Sequence, residues 1–146
     1  MKNANEIKNV AHLRLDEAEN LYELGLYEGS IYLAGYAVEL LLKAKICEIL
    51  DLEDLFDASF PRKDLAKFFK IHNLENLIWL SGLRRQFEED YGKNDDFRQN
   101  WDFINENWSE QVRYDLQGSV PKHKAEKFLN AITDNQNGIK SWISTH

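Results

Sequence analysis

Apolar residues recur along this chain at helical spacing and nowhere alternate in strand fashion. Ile7, Val10, Ala11, Ala18, Leu21 and Tyr22 form one stripe and predict a first helix over about residues 5–24, with Arg14 inside the stripe. Gly25 supplies its stop, and a linker of residues 25–29 is short enough to force an antiparallel partner. The second helix, about residues 30–50, is apolar almost all round, as a central helix is. Its polar exceptions Tyr32, Tyr36, Glu39 and Lys43 share one face.

Residues 51–70 read as a long connection. It has an acidic start, a break at Pro61 and a short helix over about residues 64–69. A third helix over about residues 73–90 starts at Asn73 as its cap, with Gly82 positioned to kink it. After a turn at residues 91–95, Phe97, Trp101, Ile104 and Trp108 define a fourth helix. That aromatic stripe reads as core, with a dimer interface as the sharper alternative. Residues 109–120 are irregular. From Pro121 onward, Ala125, Phe128, Leu129, Ile132, Gln136, Ile139 and Ile143 give the face of a fifth helix. The expectation is all-α: an up-and-down bundle of four to five helices in one domain spanning residues 1–146.

Composition narrows this little. A 146-residue chain with 43% hydrophobic residues can bury roughly 70% of its unfolded surface. One Cys excludes a disulfide framework and a Cys-based zinc site. His12, His123 and His146 show no metal-ligand spacing, so no metal and no cofactor is expected. The polar start and the charges Glu39, Lys43, Lys45 and Glu48 in the most apolar stretch argue against an export signal or a membrane span, since each charge at mid-membrane costs about 3 kcal/mol. A cytoplasmic protein is the expectation. The net charge of −7 disfavours a general nucleic-acid coat. Within residues 61–86, however, Arg62, Lys63, Lys67, Lys70, Arg84 and Arg85 face only Asp64 and Glu75. This basic patch, with Phe68 and Phe69 interleaved, reads either as a solvated connection or as a surface on which bases stack.

The run Gly25-Leu26-Tyr27 followed by Ala34-Gly35-Tyr36-Ala37-Val38-Glu39 and Lys43-Ala44 resembles the HEPN superfamily, with its G-x-Y turn and A-G-Y-A-x-E-x-x-x-K-A second helix. His72-Asn73-Leu74 with Leu77 is similar to the H-x-L-x-x-L element of one branch. Trp108 with Arg113-Tyr114 is similar to its W-x(4)-R-Y element, and Trp142-Ile143 to its closing helix. The resemblance implies a helical bundle that dimerises. It also implies a prokaryotic toxin–antitoxin or defence setting, often beside a nucleotidyltransferase. Ribonuclease members carry R-x(4–6)-H near the last helix and cleave RNA without metal at a dimer cleft. Here nine residues separate Arg113 from His123, and nine separate Arg62 from His72, so that motif is absent.

Two function classes follow. One is a binding or regulatory module for RNA or a nucleotide, working as a homodimer with a nucleotidyltransferase or effector partner. The other is a divergent metal-independent endoribonuclease using Arg113 with His123 or His72. Candidate binding residues are Tyr32, Tyr36, Glu39, Lys43, Arg113 and Tyr114. The Tyr32–Lys43 face reads as a polar cleft that meets Arg113 and His72, or as a structural Glu39–Lys43 pair buried against Arg14 or Arg113. Arg113 either grips phosphate through its guanidinium fork or ties its loop to an acid of the second helix. His72 is an acid–base group or a helix-entry residue.

Overall fold

A computed structural model describes residues 3–146; Met1 and Lys2, the first residues of the polar start, lie outside the described residues. Helix α1 (Ala4–Glu23) opens where the Asn3 side chain accepts from the Glu6 N–H at 2.9 Å. It ends at Gly25, whose φ of 77° no β-carbon-bearing residue adopts cheaply. There Leu26 N–H bonds to the Leu21 carbonyl and Gly25 N–H to that of Tyr22, which satisfies the carbonyls of the last turn.

Helix α2 (Tyr27–Leu50) begins about three residues earlier than the sequence suggests, because Gly29 lies inside it rather than in the linker. Leu21 packs against Gly29, where an added β-carbon would sit 3.2 Å from Leu21 Cδ1. The two helices form an antiparallel hairpin. Ser30 Oγ donates to the Ala18 carbonyl at 2.7 Å, while at the far end Lys8 pairs with Glu48. α2 is the central helix: Ala34, Val38, Leu42, Ala44 and Ile46 are all fully buried, in contact with α1 and with the later helices. Cys47 is buried on it, and burial, with Glu48 nearby, pushes its thiol up to about 11.

The connection after α2 wraps back over it. Leu55, Phe60 and Ala66 are buried, with a short helix α3 (Lys63–Ala66) between Pro61 and the next element. The expected third helix is two. α4 (Leu74–Leu80) and α5 (Arg84–Lys93) are separated at Gly82, whose φ is +79°. Ser81, fully buried, bridges the break by donating to the Ile78 carbonyl and accepting from Leu83 N–H. A kink would have kept the helix continuous; the left-handed glycine ends it.

α5 runs through most of the turn expected at residues 91–95. Asn94 ends it and caps α6 (Asp95–Asn107), its side chain accepting from Phe97 N–H. The aromatic stripe is core: Phe97, Trp101, Ile104 and Trp108 are all buried within the chain, so it presents no face to a second copy. A 3₁₀ turn (Glu110–Tyr114) follows. The expected fifth helix is also two, α7 (Lys122–Thr133) and α8 (Ile139–Thr145). Asp134 breaks it by accepting from Asn137 N–H through its side chain and from Gly138 N–H through its carbonyl. No strand occurs among the described residues, and the all-α bundle stands with two of its helices divided. None of the helices described is long and apolar enough to cross a membrane.

Candidate functional site

One face of α2 organises the site. Tyr32 and Tyr36 stack with centroids 6.3 Å apart and planes 6° from parallel. Burial, and then the Glu39 carboxylate, push the Tyr36 phenol above its ordinary value. One turn on, Glu39 is 1% exposed and its Oε1 accepts from Lys43 Nζ at 2.7 Å. A buried carboxylate requires such a partner. Lys43 is itself buried beneath the connection, its ammonium 5.2 Å from the centre of the Phe56 ring. Neither Arg14 nor Arg113 is the partner. Arg14 pairs with Glu17 at 2.6 Å.

The second partner of Glu39 is His72. Its Nδ1 lies 3.0 Å from Glu39 Oε1, and its Nε2 lies 3.1 Å from Glu110 Oε2. With a carboxylate on each ring nitrogen, both hydrogen bonds form together only when the imidazole carries both protons. Lys43, Glu39, His72 and Glu110 thus make one polar chain. It ties α2 to the entry of α4 and to the 3₁₀ turn.

That turn has two more anchors. Trp108, the residue that ends α6, lays its indole over Gly35 and donates Nε1–H to the Tyr32 carbonyl at 3.0 Å. The close approach explains the glycine of the Ala34-Gly35-Tyr36 run. A β-carbon there would come closer than 3.0 Å to three indole atoms. Downstream, Val120 N–H donates to Glu28 Oε1 at 2.9 Å, fastening the loop after the turn to the first turn of α2. Burial pushes the Glu28 carboxyl up, but N–H donation from Val120 and its neighbours outweighs this and holds it below its ordinary value.

The 3₁₀ turn presents Arg113 at the surface, its guanidinium 4.8 Å from the centre of the Tyr114 ring. The Tyr114 phenol, and after it the Tyr32 phenol, hold the Arg113 guanidinium more firmly in its charged form. Arg113, Val112, Tyr32 and Gly29 line a cavity of about 410 Å³ together with two carboxylates, Glu28 and Asp115. On the other side of the turn, His72, Glu110 and Gln111 line a second cavity of about 650 Å³ over Leu74 and Trp108.

The structure therefore joins Tyr32 with Arg113 and Tyr114, and Glu39 and Lys43 with His72. His123 stands apart from both, exposed on the first turn of α7. The basic patch is divided between the connection and the start of α5. Arg62 pairs with Asp64 at 3.1 Å, and Arg84 pairs with Glu88 at 3.0 Å while lying over the Trp79 ring. Lys63, Lys67, Lys70 and Arg85 are exposed. Phe69 packs on the core, whereas Phe68 is 69% exposed. Sequence reasoning missed Glu110, Glu28 and Phe56, whose partners lie far away in the chain; no local spacing signals them. Among the described residues, no three His, Cys, Asp or Glu side chains gather as a metal site.

A helical hairpin with a buried Glu–Lys pair, overlaid by an arginine-bearing turn, defines the class: an all-α bundle with its polar face on the central helix. Residues 4–51, which cover α1 and α2, match the family model of the HEPN domain, and the HEPN reading of this chain stands on that match. The comparisons with curated proteins and with solved structures returned no match.

Proposed function

We propose that residues 1–146 form one HEPN-type module that binds RNA or a nucleotide. In this reading it works in the cytoplasm as a homodimer, beside a nucleotidyltransferase or effector, in a prokaryotic toxin–antitoxin or defence setting. The observation that carries the reading is the Arg113 guanidinium, stacked on Tyr114 and sharing a cavity of about 410 Å³ with Tyr32. A guanidinium fork matches phosphate oxygens, and phenol rings beside it offer faces for a base. The volume falls in the range of small-ligand sites, about 300–1,000 Å³.

Binding is favoured over cleavage by chemistry at the histidines. A general base needs a ring nitrogen free to take a proton. Both nitrogens of His72 already face carboxylates, and nine residues separate His123 from Arg113.

The test is calorimetry with 5′-AMP and a short RNA, run beside an RNA-cleavage assay, for the native protein and Arg113→Ala. The expected result is binding weakened about tenfold or more by the substitution, as loss of a charge-assisted contact predicts, with the RNA left intact. Cleavage that disappears in Arg113→Ala would replace this reading with the endoribonuclease. Binding unchanged by the substitution would remove Arg113 from the site.

A further inference from the structure

The larger cavity, about 650 Å³, lies across the 3₁₀ turn from Arg113 and carries different chemistry. Its floor is apolar, with Leu74 2% and Trp108 6% exposed. Its rim carries the side-chain amides of Asn76, Asn105 and Gln111. Among the described residues, none of these three amides makes a side-chain hydrogen bond within the chain; the bonds Asn76 and Gln111 make to the Asn73 and Ser109 side chains come from their backbone N–H groups. Each amide therefore keeps two donors and an acceptor for a ligand. The one cationic candidate, His72, is already held by Glu39 and Glu110. Glu110 adds a carboxylate at the edge.

This lining rejects phosphate, which would meet a carboxylate and no free cation. It suits a flat, uncharged ring that both donates and accepts hydrogen bonds over an apolar floor. Amide side chains pair two-fold with the N6/N7 edge of adenine, and carboxylates accept from exocyclic amines. Uracil has no such amine and would turn a carbonyl towards Glu110.

We infer that the amide-lined cavity is a nucleobase subsite selective for adenine and cytosine over uracil, through the exocyclic amine that uracil lacks. The inference rests on the nucleotide reading above and extends it to a second subsite. Free nucleotides and an RNA strand both carry this chemistry.

The experiment titrates the ¹⁵N-labelled full chain, by NMR, with adenosine, cytidine, uridine and inorganic phosphate separately. The subsite predicts that adenosine and cytidine move the side-chain NH₂ resonances of Asn105 and Gln111. Uridine should do so at about tenfold higher concentration or more, the factor expected for one mismatched edge. Gln111→Ala and Asn105→Ala, both substitutions at the cavity rim, should each weaken adenosine about tenfold. They should leave the response of Arg113 to phosphate unchanged. Uridine binding as well as adenosine would overturn the proposal, as would adenosine binding indifferent to both substitutions. If phosphate moves Arg113 while every nucleoside leaves the amides still, the subsite is refuted and the Arg113 site survives. If adenosine moves the amides while phosphate leaves Arg113 still, the subsite is supported and the Arg113 reading fails. A final pair, 5′-AMP against hexa-adenylate, separates the sources: tighter binding of the hexamer assigns the site to a strand, and equal binding assigns it to a mononucleotide.

Discussion

Gly35→Ala tests whether the Trp108 contact positions the 3₁₀ turn. An added β-carbon would fall closer than 3.0 Å to Cδ1, Cγ and Nε1 of the Trp108 indole. The ring must retreat by roughly 1–2 Å to reach ordinary carbon–carbon separation near 3.5–4.0 Å. That retreat breaks its 3.0 Å bond to the Tyr32 carbonyl. Overpacking of this kind costs about 1–3 kcal/mol, and a lost buried hydrogen bond about 1 kcal/mol more. Against this, alanine inside a helix is favoured over glycine by roughly 0.5–1 kcal/mol. The net expectation is about 1–3 kcal/mol of destabilisation, or about 3–10 °C in Tm for a chain of this length. Gly92→Ala, in α5 with nothing within 4 Å of the added carbon, is the control and should gain roughly 0.5–1 kcal/mol. In a Trp108→Ala background the sign at Gly35 should invert, because the clash has gone and only propensity remains. Thermal unfolding by circular dichroism reads the native protein and the four variants. A Gly35→Ala protein that melts at or above the native temperature would refute the reasoning.

Two further perturbations address the other anchors. Glu39→Ala strands Lys43, which is only 8% exposed, and should cost about 3–5 kcal/mol in urea unfolding. The Glu39→Met, Lys43→Met pair should recover most of that loss, and a double variant no more stable than the single would reject a buried ion pair. Glu28 is held below its ordinary carboxylate value in the folded state, so its contribution is present above the unfolded-state value of 4.5 and is lost as pH falls through the folded-state value. Glu28→Gln should therefore be less stable at pH 7 and lose stability less steeply on acidification; equal slopes in urea midpoints measured across that acid range would contradict the assignment.

The legibility of this fold follows the range of each interaction. Gly25 as a stop and Asn73 as a cap were readable because their chemistry is local: a left-handed φ of 77°, and a side chain accepting from Asn76 N–H. The Glu39–Lys43 pair was readable for the same reason, being one helical turn apart. The divided last helix was not. Ile139 and Ile143 bury against the same core as Phe128 and Ile132, so the helical period continues in the sequence although Asp134 interrupts the backbone. Gly82 was recognised but its consequence was not, since kink or break depends on a backbone φ, here +79°, that the sequence does not state, and Ile49 from the end of α2 packs where a β-carbon would sit. His72 was singled out, while Glu110, which holds its other nitrogen, stands beyond reach of any spacing rule.

The site divides along the same line as the family match. Glu28, Tyr32, Gly35, Glu39 and Lys43 all lie within residues 4–51. Apart from the Glu39–Lys43 pair itself, their partners Val120, Arg113, Trp108 and His72 lie outside that segment, as does Glu110 beyond His72. The hairpin therefore supplies a polar face, and the remainder of the chain decides what covers it. Four residues of α2 fix three points: Glu28 the loop after the 3₁₀ turn, Tyr32 and Gly35 the indole before it, Glu39 the imidazole beside it. A turn pinned on three sides has little freedom to carry Arg113 elsewhere. In the proposed reading the hairpin therefore fixes where Arg113 meets its phosphate, while Asn76, Asn105, Glu110 and Gln111, all outside the hairpin, choose the base.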